Sequence, residues 1–215
     1  MRGRGTLVGL AAGATAAVVV RRLGRRSGAT AEELSVRLPG DDLVSQPMWD
    51  STRAITISAD AAAVWPWIVQ MGYPSHRAGW YTPHWLDRLQ WGIRERSSDR
   101  IRPEFQDLAV GDRVPDSPDG SVFFTVAALE PGRALVLHST RHLLKPIRSI
   151  DFSWAFVLVA GEASTTRLIM RARVRCEPGW GLALLGPLIG VGDFLNASAM
   201  LRGIKQRSER VRAGA

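Results

Sequence analysis

His84, Glu104 and His138 are the side chains whose chemistry stands out first. A carboxylate or neutral imidazole can remove a proton beside a carbonyl. Its protonated form can hand one to a departing hydroxyl, and together these steps make a cyclisation with dehydration. None of the three is set in a motif. His84 stands next to Trp85 and is free to point to water, Glu104 in RPEFQ has Arg102 within pairing reach, and His138 shares a strand face with Val136. A lone histidine or glutamate is ordinarily structural, and that reading is preferred for each. They stand as the acid/base candidates of an enzyme reading.

Other chemistries find less. No glycine-rich phosphate loop, G-x-S-x-G elbow, H-E-x-x-H pair or iron-ligating triad is present. Cys176 is the one cysteine, so no intramolecular disulfide forms. Without a C-x-x-C or Cys/His cluster a structural zinc site is not expected, and neither a metal nor a cofactor is called for. Arg171, Arg173 and Arg175 would grip an acidic headgroup if they faced inward. Period-two alternation with Met170 and Val174 puts them on the opposite, solvated face, and a one-residue bulge would reverse that.

The formal net charge of +8 and a pI near 11.0 invite a nucleic-acid reading. Its distribution argues otherwise. Arg2, Arg4, Arg21, Arg22, Arg25 and Arg26 precede the first acid, and the remaining chain holds 22 basic and 20 acidic residues. A nucleic-acid-binding domain carries its excess on the folded part; here it flanks the apolar run Thr6 to Val20. As a helix that run spans roughly 22 Å, against about 30 Å of bilayer hydrocarbon. A cleaved signal peptide needs small residues after the run, where arginines stand instead. A short uncleaved anchor with snorkelling arginines is the preferred reading; an interfacial or frayed tail is the alternative. The arginines after the run outnumber those before it, which puts the domain on the cytoplasmic side of the cell membrane.

The elements follow from spacing. Thr30 with Glu33 makes a capping box. Ser51 to Ser58 reads as a strand with Ile55 and Ile57 on one face, and Asp60 caps a helix running to Met71 with Pro66 awkward inside it. A second short helix covers Tyr81 to Trp91, with Trp85, Leu86 and Leu89 as its apolar face. Ser121 to Leu129 and Ala134 to Ser139 flank a Pro131-Gly132 turn. Phe152, Trp154, Phe156 and Leu158 alternate with Ser153, Ala155 and Val157, and Leu168, Met170, Ala172 and Val174 with Arg167, Ile169, Arg171, Arg173 and Arg175. Gly186-Pro187 interrupts an apolar stretch, after which Asp193 caps a final helix. Leu195, Met200, Leu201, Ile204 and Val211 form its inner stripe.

From about Trp49 to Arg210 the chain resembles the START-like, helix-grip superfamily (the polyketide cyclase/dehydrase and lipid-transport group), and more closely an actinobacterial subgroup of it without a settled function. VWPWIVQMG (64–72), RAGWY (77–81), WLD (85–87), PEFQDLAVGDRVP (103–115), WAFVL (154–158), TRL (166–168) and MLRGIK (200–205) carry the resemblance. It implies an α+β fold with an antiparallel sheet of about seven strands, curved and wrapped on a long C-terminal helix, with a cavity between them. The N-terminal apolar helix is an addition. The expected organisation is a basic-flanked apolar segment (1–29), a linker with a short helix (30–48) and a START-like ligand-binding domain (49–212). In such a fold Met200 and Ile204 would form one cavity wall, Trp154 and Phe156 another, and Trp80, Tyr81 and Trp85 the mouth. Plain packing is the preferred reading of the last three.

Three functions fit. The first is binding or carriage of an apolar small molecule or lipid at the membrane, without catalysis. The second is a cyclase- or dehydratase-like enzyme, and the third a scaffold whose cavity its own side chains fill. The same fold serves all of these. A void below roughly 300 Å³ would favour the third.

Overall fold

The computed structural model describes residues 24–141 and 147–213, with backbone alone for 181–189, 191 and 211–213. The apolar run expected to form an N-terminal helix, and its anchor, lie outside the described residues. Among the described residues no helix is long and apolar enough to cross a membrane.

Six strands form one antiparallel sheet: β1 (Trp49–Ile57), β2 (Arg113–Pro115), β3 (Phe123–Glu130), β4 (Ala134–Ser139), β5 (Ser149–Ala160) and β6 (Thr166–Glu177), in the order β1-β6-β5-β4-β3-β2. The helices are α1 (Ala31–Ser35), α2 (Ala61–Val69), α3 (His84–Trp91) and α4 (Gly179–Ala213). The expected seven strands are corrected to six. The polar stretch from Ser97 to Asp112 supplies no strand: Pro103 has no N–H for a ladder and opens a 3-10 turn, Pro103–Phe105, and Gly111 takes φ +94. In β3 the register shifts between Val126 and Ala128, and such bulges sharpen the bend of a sheet.

Helix α2 begins as expected, with the Asp60 carboxylate accepting from Ala63 N at 2.8 Å, and it accommodates Pro66. Helix α4 departs from expectation. It runs through Gly186 and Pro187 without a break, so Asp193 lies inside it and is not its cap. Ala197, Met200, Leu201, Ile204 and Ser208 form the buried stripe, recurring at three- and four-residue spacing. Leu195, expected in that stripe, falls out of phase with it and is 43% exposed. The Val211 side chain lies outside the described residues.

The sheet has two covered faces. Concave side chains and α4 build the main core with Trp67, Ile68 and Val69 of α2. The convex face carries Arg167, Arg171, Arg173 and Arg175, as alternation requires; Arg175 is exposed as expected, but Arg171 is buried and Arg167 and Arg173 are partly covered. Residues 28–45 of the segment 24–48 lie over it. Arg171, 6% exposed, donates to Thr52 Oγ1 (2.9 Å), Val36 O (2.9 Å) and Glu33 O (2.7 Å) and pairs with Asp41 at 2.7 Å. Arg173 reaches Val44 O (3.0 Å), and Arg167 pairs with Glu33 at 2.7 Å. Period two therefore predicts the face correctly; what shields it is a segment the period cannot see.

Candidate ligand-binding site on the concave face

Alternation on neighbouring strands lays the floor in rows. Ser51 pairs with Ala172, Ala172 with Trp154, Trp154 with Leu137 and Leu137 with Val126. The next row runs Arg53, Met170, Phe156, Leu135. Trp154 sits in an aromatic group. Its ring centroid lies 5.0 Å from Phe156, 5.3 Å from Trp80, 5.6 Å from Phe124 and 6.0 Å from Phe152. The first three pairs are tilted and the last is stacked, and such pairs add about 0.5–1.5 kcal/mol each beyond their burial.

Trp80 reaches this group through a strained backbone. Gly79 takes φ +93, and Tyr81, which is not glycine, takes φ +61. A left-handed tyrosine costs on the order of 1 kcal/mol and persists only where its surroundings hold it. Here Tyr81 N donates to Ser97 Oγ at 3.0 Å and its hydroxyl donates to Trp67 O at 2.8 Å. Its carbonyl presses on α4 at Gly203, where a Cβ would come within 2.0 Å of it. Burial pushes the Tyr81 phenol well above its ordinary range, so it remains a neutral donor.

Among the described residues, the buried indole N–H groups of Trp49, Trp67, Trp80 and Trp154 find no acceptor. Nearly all buried polar groups in proteins are paired, and an unmet donor costs about 1–3 kcal/mol. Trp80 and Trp154 belong to the aromatic group just described. Trp49 stands on the same face, paired across the ladder with Val174.

The concave face also holds an ion pair that sequence reasoning missed. Arg53, 1% exposed, donates to Ser51 Oγ (3.0 Å) and Gly24 O (3.0 Å) and pairs with Asp193 of α4. Burial pushes the Asp193 carboxyl up, against the opposing pull of Arg53. The available signal was parity: Ser51 and Arg53 share the phase of Ile55 and Ile57.

The structure does not bring the acid/base candidates together. His84 opens α3 and its Nε2 lies 2.9 Å from Arg94 O. Glu104 is exposed on the 3-10 turn, where the Arg102 guanidinium holds its carboxyl below the ordinary range. His138 is on the convex side with Ala134 and Val136, 2.6 Å from Asp151. The site candidates divide as well. Tyr81, Phe156, Met200 and Ile204 are buried in the core, Trp80 nearly so, and Trp154 is half-buried. Trp85 is 66% exposed, and Leu89, expected to share its buried face, is 76% exposed. Leu86 and Asp87 occupy the inward side of α3 instead.

Two hollows open among the described residues, of about 530 and 480 Å³. The first lies on the convex side, with Arg25, Arg37, Asp41, Asp42 and Arg173 in its lining, and the second among the loops that follow α2 and α3. Neither is lined by Trp80, Trp154, Phe156, Met200 or Ile204.

No family model matches the chain, and no curated protein does. Solved structures do. A START superfamily protein from Mycobacterium smegmatis is 11% identical over 75% of this chain and 98% of its own, with a TM-score of 0.45. The Zhui aromatase/cyclase from Streptomyces sp. R1128 is 13% identical over 75% and 94%, with a TM-score of 0.46. A norcoclaurine synthase from Thalictrum is 14% identical over 76% and 96%, with a TM-score of 0.48. The strand order and the closing helix make an α+β fold, a helix laid across one face of an antiparallel sheet. At these identities and TM-scores the likeness says nothing about a substrate.

Proposed function

We propose that the chain binds and carries an apolar small molecule or lipid between the concave sheet face and α4, without transforming it. The unmet indole N–H groups of Trp80 and Trp154 within the aromatic group carry this reading. They call for a flat or ring-bearing ligand that offers a carbonyl or hydroxyl oxygen to one of them. An enzyme reading lacks comparable support, because His84, Glu104 and His138 stand on separate elements and His138 faces the far side of the sheet. The apolar run Thr6 to Val20 with its flanking arginines supports attachment of this carrier to a membrane. Fractionation of the full chain against a form starting at Gly24 tests that part, and equal recovery of both in the soluble fraction would refute it.

One observation favours a second reading, a scaffold with a self-filled core. Trp67, Phe156, Met200 and Ile204 are almost fully buried, and the two described hollows lie elsewhere. Native mass spectrometry of the full chain separates the two. The carrier reading expects a co-purifying mass on the order of a few hundred daltons, diminished in a Trp80→Phe/Trp154→Phe variant. A bare protein mass under every gentle condition supports the scaffold.

A further inference from the structure

The hollow of about 480 Å³ lies outside the sheet and α4, and its lining includes Arg77, Arg96, Arg100 and Arg102 with Ser98 and Asp99. Its charges do not balance locally. Asp99 is taken by Arg207 of α4 at 2.8 Å, and Arg102 by Glu104 at 2.7 Å. Arg77 is half-buried and spends its donors on carbonyl groups: Nε on Met71 O (2.7 Å), and Nη2 on Val69 O (2.7 Å) and Phe105 O (3.3 Å). Among the described residues no carboxylate pairs with Arg77, Arg96 or Arg100. Burial already works against the Arg77 charge, lowering its pKa. A half-buried cation with no carboxylate in pairing distance, sharing one hollow with two more guanidinium groups, is an arrangement that an anion would relieve.

We propose that this hollow binds a phosphoryl group. Arginine presents a planar fork of donors that fits phosphate oxygens two at a time. Three guanidinium groups without carboxylates exceed what one carboxylate ligand would neutralise, whereas a phosphate monoester carries about −1.5 to −2 at neutral pH. The Ser98 hydroxyl at the rim spends its proton on Arg100 O at 2.8 Å, which holds the loop that carries Arg100. Arg77 anchors the floor because its carbonyl partners fix its guanidinium in place. The exposed Arg96 and Arg100 close on the ligand from outside. The group can arrive on a soluble phosphate ester or on a lipid headgroup; the chemistry that recognises it is the same. The site is separate from the concave face, and its test is independent of whatever α4 encloses.

The test uses the full-length protein with inorganic phosphate against chloride at matched ionic strength. Millimolar phosphate is expected to raise the wild-type Tm by about 3 °C or more through mass action. In Arg96→Ala/Arg100→Ala the apparent affinity should fall at least about tenfold, while the Tm in chloride stays level or rises as repulsion is removed. In the wild type, phosphate should shift the amide resonances of Ser98 and Asp99, which locates the site without any variant. The proposal is overturned by equal phosphate responses in wild type and variant, by no response at all, or by resonance shifts confined to other loops. Vesicles separate the sources. Retention on phosphatidic acid beyond that on phosphatidylglycerol at equal surface charge, lost in the double variant, assigns a lipid phosphomonoester. A phosphate-dependent Tm shift with equal retention on both assigns a soluble ester.

Discussion

Arg53 and Asp193 show what one pair of side chains contributes at this site. Arg53 is fully buried and satisfied by Asp193, Ser51 and a backbone carbonyl. Arg53→Met should therefore destabilise the protein by about 1–3 kcal/mol, because Asp193, a carboxylate with 22% of its side chain exposed, would lose its partner. Arg53→Met/Asp193→Leu should recover most of that loss. Urea unfolding of the two single variants and the double variant gives the coupling; additive losses would mean that the two groups do not act as a pair. Trp154→Phe probes the unmet donors. Its stability cost should stay below about 1.5 kcal/mol, since the lost contact is offset by removal of a desolvated N–H. Its affinity for an acceptor-bearing ligand should fall about tenfold, near 1.4 kcal/mol. At this scale the sequence was legible wherever parity settled the matter, as for Trp154, Phe156 and Leu158 on one face. It pointed wrongly to Asp193 as a helix cap, because the role of that residue depends on helical phase in α4 and on a strand more than a hundred residues earlier.

The elements explain why the strap over the convex face escaped a local reading. Residues 24–48 carry few apolar side chains, and their capping box marks only a five-residue helix. What fastens them is the row of arginines on β6, each reaching carbonyls and carboxylates of the strap. Arg171→Ala should cost about 3–5 kcal/mol by breaking a buried ion pair and should open the segment around Arg37 to trypsin; retained stability and resistance would contradict the assignment. Glu33 makes the same docking sensitive to acid. Its hydrogen bond to Arg167 holds the carboxyl below its ordinary value of 4.5, so the folded state binds that proton less readily than the unfolded chain. The stability it contributes is present above 4.5 and disappears as pH falls through the folded value. Wild type should exceed Glu33→Gln in urea midpoint near neutrality, with the gap closing in acid. A gap that widens in acid would reverse the sign of this account. Helix α4 was legible in its inner stripe at Met200, Leu201 and Ile204. Its start was misjudged because Gly186 and Pro187 are strong breakers in a local window, while the surrounding fold tolerates them.

For the molecule as a whole, a run of antiparallel strands with a helix laid across it was readable from alternation, turn residues and the closing amphipathic stripe, while the strand order was not. The strand number was not, because the expected extra strand came from resemblance while Pro103 and Gly111 govern the local backbone. The first described residues are also held to the sheet by contacts that composition does not announce. Gly24 O accepts from Arg53 at 3.0 Å, and Ala54 N donates to Ser27 O at 3.2 Å. A chain starting at Gly24 should fold with the full chain's midpoint, whereas one starting at Thr30 should lose about 1–3 kcal/mol through the unmet Arg53 donor; circular dichroism and urea titration compare them. The central claim is that α4 and the concave face enclose space for a ligand, and Met200 is the residue to fill it. Titration of wild type and Met200→Trp with anthraquinone, a flat apolar molecule whose carbonyls accept hydrogen bonds, tests this through tryptophan fluorescence and Tm together. The account predicts quenching and a raised Tm in the wild type, with neither in a variant that remains as stable as its parent. An unresponsive wild type, joined to a variant destabilised by the roughly 1–3 kcal/mol of an overpacked core, would contradict it and leave a scaffold with a filled interior.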